Sequence, residues 1–494
     1  MPQAVLIAIV VVIVLRDGFS PFPLWPNHSD LSILLAATLP FVALAALVHL
    51  LMKALGRQLD RTGAYSAVAA ADLVMAVARI AVFVLHAAAV LGFGWLDVIR
   101  THLGDLILLD EAAAASIPVL TLIAFHASFY EIENRIAQAG VIRALDAGEP
   151  VHPIRTRTQY VADQIRHQMA IVLVPVTILG AWAEGTDRLA QWLLDSGRVD
   201  STAPWAWAFT ALHFGGVFVL LLVMPLVLRR VWSTVRLGAG PLRDHLQRLC
   251  DVQGVRCREL LVWRTHGSMI NGALVGLIAP ARYILLTDAL LERLPLEQVE
   301  AVMAHEAAHA RRRHLPWLIV TLAATGGIIW TAVTLVSSLL LPFIPASAVE
   351  NVGELIGAGA LAASLAIGYL VFGVVSRKFE EQADAFAVQH LSGWSANRPR
   401  EHVAVRPEAV EGMSSALLSV ARLNHIPLTK FSWRHGSIAS RRARLHALMG
   451  RDAANLPIDR TIRRLKLVSF LALLTLAALW ILVPLLFSSI LEMG

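Results

Sequence analysis

The sequence predicts a mainly α, polytopic helical membrane protein in which two polar segments combine into a smaller α+β domain. Three observations predict it. Of 494 residues, 57% are hydrophobic and only 16% are charged, against about 25% charged in an ordinary soluble domain. The apolar residues fall in long runs that raise the mean hydropathy to +0.63, and about 20 consecutive apolar residues cross a hydrocarbon core of about 30 Å. Basic residues also gather beside alternate runs, as the positive-inside rule requires.

The chain opens with an apolar run over 4–15. No basic residue precedes it and Arg16-Asp17 follows at once, so it reads as a short first membrane helix rather than a cleavable signal. Eight longer spans follow, near 31–55, 67–96, 112–130, 169–183, 205–228, 315–343, 356–375 and 467–491. Lys53, Arg57 and Arg61 follow the second span, and Arg135, Arg143, Arg155, Arg157 and Arg166 precede the fifth. Arg229 and Arg230, Arg311 to Arg313, Arg377 and Lys378, and Arg460 to Lys466 flank the later ones. All these loops share one side if the N-terminus is cytoplasmic, which sends the C-terminus outside.

The expected organisation is a transmembrane region over 1–228 with about six spans, then a first polar segment over 229–314. A transmembrane hairpin over 315–375 separates it from a second polar segment over 376–466, and a last transmembrane helix covers 467–494. Both polar segments fall on the cytoplasmic side and can meet as one domain at the membrane face. The net charge of +6 and pI near 9.7 then reflect topology and a lipid bilayer as partner, with no nucleic acid implied. Cys250 and Cys257 lie in the first polar segment, where a structural disulfide is not expected. Cys257 belongs to an alternating, strand-like run over 254–263 and reads as a small buried residue. The charged stretch 131–167 reads as partly helical, and 392–407 as a flexible loop.

The first polar segment holds His305-Glu306-Ala307-Ala308-His309, the H-E-x-x-H pattern of zinc peptidases. On a helix, positions four apart share a face, so both imidazoles can reach one ion, with Glu306 beside it to take a proton from water. Catalytic zinc needs a third protein ligand and an open position. One known continuation would put Gly at 312 and His at 315, where this chain has Arg312 and Leu315, so the third ligand lies elsewhere. The second polar segment opens on Ser376-Arg377-Lys378-Phe379-Glu380-Glu381-Gln382-Ala383-Asp384, which reads as a helix leaving the eighth span. Glu380 and Asp384 share one face, whereas Glu381 points about 100° away from Glu380. Asp384 could support a ligating histidine by hydrogen bonding.

These residues resemble the HtpX and CAAX prenyl protease family of integral-membrane zinc metallopeptidases, in which H-E-x-x-H pairs with a downstream E-x-x-x-D in a context like S-R-x-x-E-x-x-A-D. The resemblance covers roughly 240–450. It implies His305, His309 and Glu380 as ligands of one Zn2+ per chain, Glu306 as the base and Asp384 in a supporting role. The family's Asn-Ala-x-x-x-Gly strand, thought to bind substrate backbone, corresponds to Asn271-Gly272-Ala273-Leu274-Val275-Gly276, with Gly272 in place of the usual Ala. Its C-terminal His and Arg correspond to His435 and Arg441, which the resemblance casts as oxyanion or substrate contacts. His314 also matches a family histidine. The core departs from the family in lacking the usual Leu-Gly between Glu306 and His309.

The expected function is therefore a membrane-embedded zinc metalloendopeptidase acting on membrane-associated or misfolded polypeptides, in a bacterial inner membrane with its site facing the cytoplasm. Two other readings compete. One is a sensor-transducer metallopeptidase of the antibiotic-resistance regulator type, which usually has an extracellular domain for which the outward loops are too short. The other is a metal-binding membrane scaffold without peptidase activity.

Overall fold

The computed structural model describes residues 2–18, 28–146, 148, 151, 153–199, 203–267, 269–345, 349–395, 397 and 402–491. It is almost all helix with one small sheet, and it divides into two units, Met1–Trp232 and Ser233–Gly494.

The first unit is helical: α1 (Pro2–Gly18), α2 (Asp30–Thr62), α3 (Tyr65–Ala87), α4 (Trp95–Leu103), α5 (Leu109–Asp146), α6 (Arg157–Gln164), α7 (Ala170–Asp195) and α8 (Ala203–Val231). Ser29 caps α2 by accepting the Ser32 amide, and Gly63 ends it at a φ of 59°, so capping chemistry matches the boundaries. Pro40, Pro118, Pro175 and Pro225 sit inside α2, α5, α7 and α8, a placement that membrane helices tolerate. Phe41, Met52, Met75, Val82, Phe125 and Ile132 pack into a core with Leu6 and Ile9 of α1. Large apolar side chains such as Leu50 and Ile80 nevertheless face outward, which suits lipid and not water. The stretch 131–167 is partly helical, as expected: α5 runs on to Asp146 and α6 follows.

The second unit contains β1 (Thr234–Arg236), α9 (Pro241–Val252), β2 (Glu259–Trp263), β3 (Gly272–Val275), β4 (Tyr283–Thr287), α10 (Asp288–Arg293), α11 (Leu296–Arg311), α12 (His314–Leu340), α13 (Val349–Leu391), α14 (Pro407–Leu423), α15 (Ile438–His446) and α16 (Pro457–Leu491). The sheet order is β1-β2-β4-β3. β2 and β4 run parallel, while β3 lies antiparallel to β4 at the edge, so one side of β3 is left unpaired by the sheet. Every residue of β4 is buried, as expected of a central strand. Cys250 and Cys257 are free thiols, buried and half-buried.

Among the described residues, seven helices are long and apolar enough to cross a membrane. They cover every expected span except the first and last. The first is the shorter apolar stretch Gln3–Arg16. The last continues α16, whose side chains beyond residue 480 lie outside the described residues. The eighth span and the start of the second polar segment are one continuous helix, the 43-residue α13. Part of the loop 392–407 also falls outside the described residues.

Small residues bring α11 and α13 together. Ala304, Ala307 and Ala308 of α11 and Ala383 and Ala387 of α13 are fully buried in one core. Side chains this short let two helix backbones approach closely, so that longer polar groups beside them meet. The alanines that replace the family's usual Leu-Gly are thus interface residues.

Candidate metal centre and its surroundings

Three helical side chains converge. His305 and His309 lie one turn apart on α11, with their Nε2 atoms 3.4 Å apart. Glu380 of α13 faces both, with Oε2 3.5 Å from His305 Nε2 and Oε1 3.6 Å from His309 Nε2. Among the described residues this is the one cluster of at least three His, Cys, Asp or Glu whose donor atoms all fall within 4.8 Å of one another. Tetrahedral zinc with bonds of about 2.0–2.1 Å holds its ligand atoms about 3.3–3.4 Å apart. The two Nε2 atoms stand at that spacing, each has a Glu380 oxygen, a different one for each histidine, within a few tenths of an ångström of it, and two imidazoles with a carboxylate are a donor set zinc accepts. The residues therefore fit the ion.

Asp384 is a buried part of this cluster. Its Oδ1 lies 2.9 Å from His305 Nδ1, and Arg441 of α15 grips it with two hydrogen bonds, Nε to Oδ2 at 2.8 Å and Nη2 to Oδ1 at 2.6 Å. Arg441 Nη2 is also 3.7 Å from Glu380 Oε2. A guanidinium fork on a carboxylate is the strongest of ordinary side-chain pairings, and it commits Arg441 to holding Asp384. His435 approaches from a loop, with Nδ1 2.9 Å from Glu380 Oε2.

α13 positions that loop as well. Arg377 Nη1 donates to the Trp433 carbonyl at 2.7 Å, and the Trp433 ring stacks on Tyr369 at 3.8 Å. Gly373 permits this approach, because a Cβ there would stand 2.4 Å from the indole nitrogen. Arg377 thus has a visible task in the Ser376-Arg377 motif.

Electrostatics follow from burial and these partners. Burial lowers the His305 imidazolium, but hydrogen bonds to Asp384 and Glu380 outweigh it and raise the pKa to about 10. Burial brings His309 down to about 4, so one histidine carries a proton where the other is neutral. Burial raises the Glu306 carboxyl, with His305 opposing. A carboxylate shifted upward is better matched to proton transfer near neutrality.

The edge strand lies beside this base. A Cβ at Gly272 would stand 3.0 Å from Glu306 Cγ and from Val302 Cγ1, so the departure from Ala leaves room for Glu306. Asn271 joins β3 to β4 through its backbone, its carbonyl accepting from the Thr287 amide and its amide donating to Thr287 Oγ1; its residue is exposed. Gly276 closes the strand at a φ of 109°. A Cβ there would be 2.2 Å from the Ala281 carbonyl oxygen, which accounts for glycine on backbone grounds.

Residues 241–426 match the model of peptidase family M48. This segment belongs to peptidase family M48. The match bears out, over this segment, the resemblance carried by the motifs, and the described residues also include seven helices long and apolar enough to cross a membrane. His305, Glu306, His309, Glu380 and Asp384 lie inside the M48 segment; His435 and Arg441 lie beyond its end. The crystal structure of S. mikatae Ste24p is similar in fold, with a TM-score of 0.50 and 14% identity over 85% of this chain and 100% of that chain. No curated protein sequence matches the chain.

The surroundings of His309 are only partly marked in the sequence. The structure puts His314 Nδ1 2.9 Å from His309 Nδ1, with Gln382 and Asp459 beyond it. His314 was visible as a motif histidine. Gln382 and Asp459 gave no signal, because no spacing rule links residues 77 positions apart.

Proposed function

We propose that this M48 chain is a zinc-dependent endopeptidase that cleaves membrane-associated or misfolded polypeptides. In this reading the polar segments 229–314 and 376–466 form one catalytic domain divided by the hairpin 315–375. The observation that carries it is the triangle of His305, His309 and Glu380, whose edges suit one tetrahedral ion. Zinc held there would supply a Lewis acid and bring the pKa of a bound water to about 7.

The chain's own residues do the rest. Glu306 takes a proton from the attacking water and hands it to the leaving nitrogen; its raised pKa strengthens it as the base for the first transfer and brings it toward neutrality, where the proton can be passed on. Asp384, clamped by Arg441, fixes the orientation of His305. His435 is the better candidate to donate to the developing oxyanion, because Arg441 is committed to Asp384. The unpaired side of β3, bracketed by Asn271 and Gly276, is suited to receive a substrate backbone as an added strand. The arginine-flanked loops support a site facing the cytoplasm.

The test is Glu306→Gln in purified, detergent-solubilised protein. It should keep its zinc and lose cleavage of an unfolded substrate such as casein. Cleavage at the wild-type rate would overturn the mechanism.

A further inference from the structure

The two histidines of the metal centre are supported differently. His305 meets a carboxylate directly. His309 meets another histidine, and the contact continues. His309 Nδ1 lies 2.9 Å from His314 Nδ1. His314 Nε2 lies 3.0 Å from Gln382 Oε1. Gln382 Nε2 donates to Asp459 Oδ1 at 2.6 Å. The chain of contacts passes from α11 through α12 and α13 to the start of α16. His314 and Gln382 are buried, and His314 lies flat on Phe379, with ring centres 4.5 Å apart and planes 2° apart.

Asp459 fixes the direction of every link. An ionised carboxylate only accepts hydrogen bonds, and Arg312 Nη2 stands 3.4 Å from the same oxygen. Gln382 must therefore turn its NH2 toward Asp459, since the reverse orientation sets a carbonyl against a carboxylate. Its carbonyl is then left for His314, which donates from Nε2. The lone pair of His314 is thereby at Nδ1 and accepts from His309 Nδ1–H. His309 is left with its lone pair on Nε2, the atom facing His305 and Glu380.

We propose that His314, Gln382 and Asp459 are positioning residues that hold His309 in its Nδ1–H tautomer, with Nε2 aimed at the metal. None of the three belongs to the His305, His309 and Glu380 cluster. The backbone explains how the first link arises. Arg313 takes a φ of 54° just after α11, which turns the chain so that His314, the first residue of α12, comes back against His309. Hydrogen-bonded supports of this kind typically contribute 10–100-fold to metal affinity.

The proposal rests on the zinc reading above, and its test separates the two. Zinc affinity is measured by competition with a chromophoric chelator on the purified full chain, with Co2+ absorption as a report of coordination geometry. His314→Phe keeps a flat ring on Phe379 but cannot accept from His309; it should weaken zinc about 10–100-fold and alter the Co2+ spectrum. Gln382→Met removes the next link and should weaken zinc in the same direction. Thr321→Val breaks a buried contact between α12 and α16, Thr321 Oγ1 to Ser469 Oγ at 3.0 Å, outside the relay; it should leave affinity unchanged. If His314→Phe fails to fold, Gln382→Met decides the matter. Wild-type affinity in His314→Phe overturns the proposal, as does wild-type affinity in Gln382→Met, which would leave His314 acting alone. An equal loss in Thr321→Val would reduce the effect to general loosening and also overturn it. Glu380→Gln tests the zinc reading itself: if it does not weaken zinc, that reading fails; if it does and His314→Phe does not, only the relay falls.

Discussion

Arg441→Met should separate the stability that Arg441 confers from the metal affinity that Asp384 confers. The pair is buried, with side-chain exposures of 9% and 5% and a closest contact of 2.6 Å. Removing only the guanidinium leaves Asp384 charged and buried near Glu380, and breaking one partner of a buried pair costs about 3–5 kcal/mol. Asp384 would still accept from His305, so zinc affinity should hold. Adding Asp384→Leu removes the stranded charge, and apolar replacement of a buried ion pair is often neutral or stabilising, so most of the loss should return. His305 then has no acceptor, and zinc should bind about 10–100-fold more weakly, or about 1.4–2.8 kcal/mol. Thermal unfolding of metal-free protein in detergent reads the first quantity without linkage to zinc, and chelator competition reads the second. A double variant no more stable than Arg441→Met, with zinc affinity intact, would refute the reasoning.

Three other outcomes follow from the same geometry. His435→Ala should keep zinc and KM while kcat falls about 10²–10³-fold, the usual loss when an oxyanion donor is removed; steady-state kinetics on a quenched peptide would show it, and a change in KM alone would count against the role. Zinc affinity should rise with pH, because the ligand must be the neutral imidazole. With His305 raised to about 10 and His309 lowered to about 4, uptake near pH 6, below the pKa of about 7 expected for a zinc-bound water, should release about one proton, from His305. Calorimetry in buffers of different ionisation enthalpy counts it; zero or two would contradict these opposed shifts. Gly276→Ala should destabilise the protein by at least about 1–3 kcal/mol from backbone strain, with the contact at the Ala281 carbonyl adding to it; an unchanged melting temperature would be the wrong result.

Much of the fold was legible because its signals are local. Membrane spans announce themselves through continuous apolar runs, and an H-E-x-x-H helix needs only the 3.6-residue repeat. Glu380, the proposed third ligand, lies 71 positions beyond His309, and only the motif around Ser376-Arg377 made it readable. The structure adds what is carried by distance. Burial of Asp384 against Arg441 turns a helix-surface carboxylate into part of the site. The same contact withdraws Arg441 from the role of free oxyanion donor. The Trp433 stack on Tyr369 and the path from His309 to Asp459 join residues 64 and 150 positions apart, where sequence periodicity carries no information.

Two imidazoles and one carboxylate are proposed to hold zinc. X-ray absorption at the zinc edge, with metal quantified in the same purified sample, tests it most directly. One zinc per chain is expected, with nitrogen and oxygen neighbours at about 2.0–2.2 Å, and loss of that shell in Glu380→Gln. A chain without stoichiometric zinc, or a sulfur neighbour near 2.3 Å that would point to Cys250 or Cys257, would contradict it.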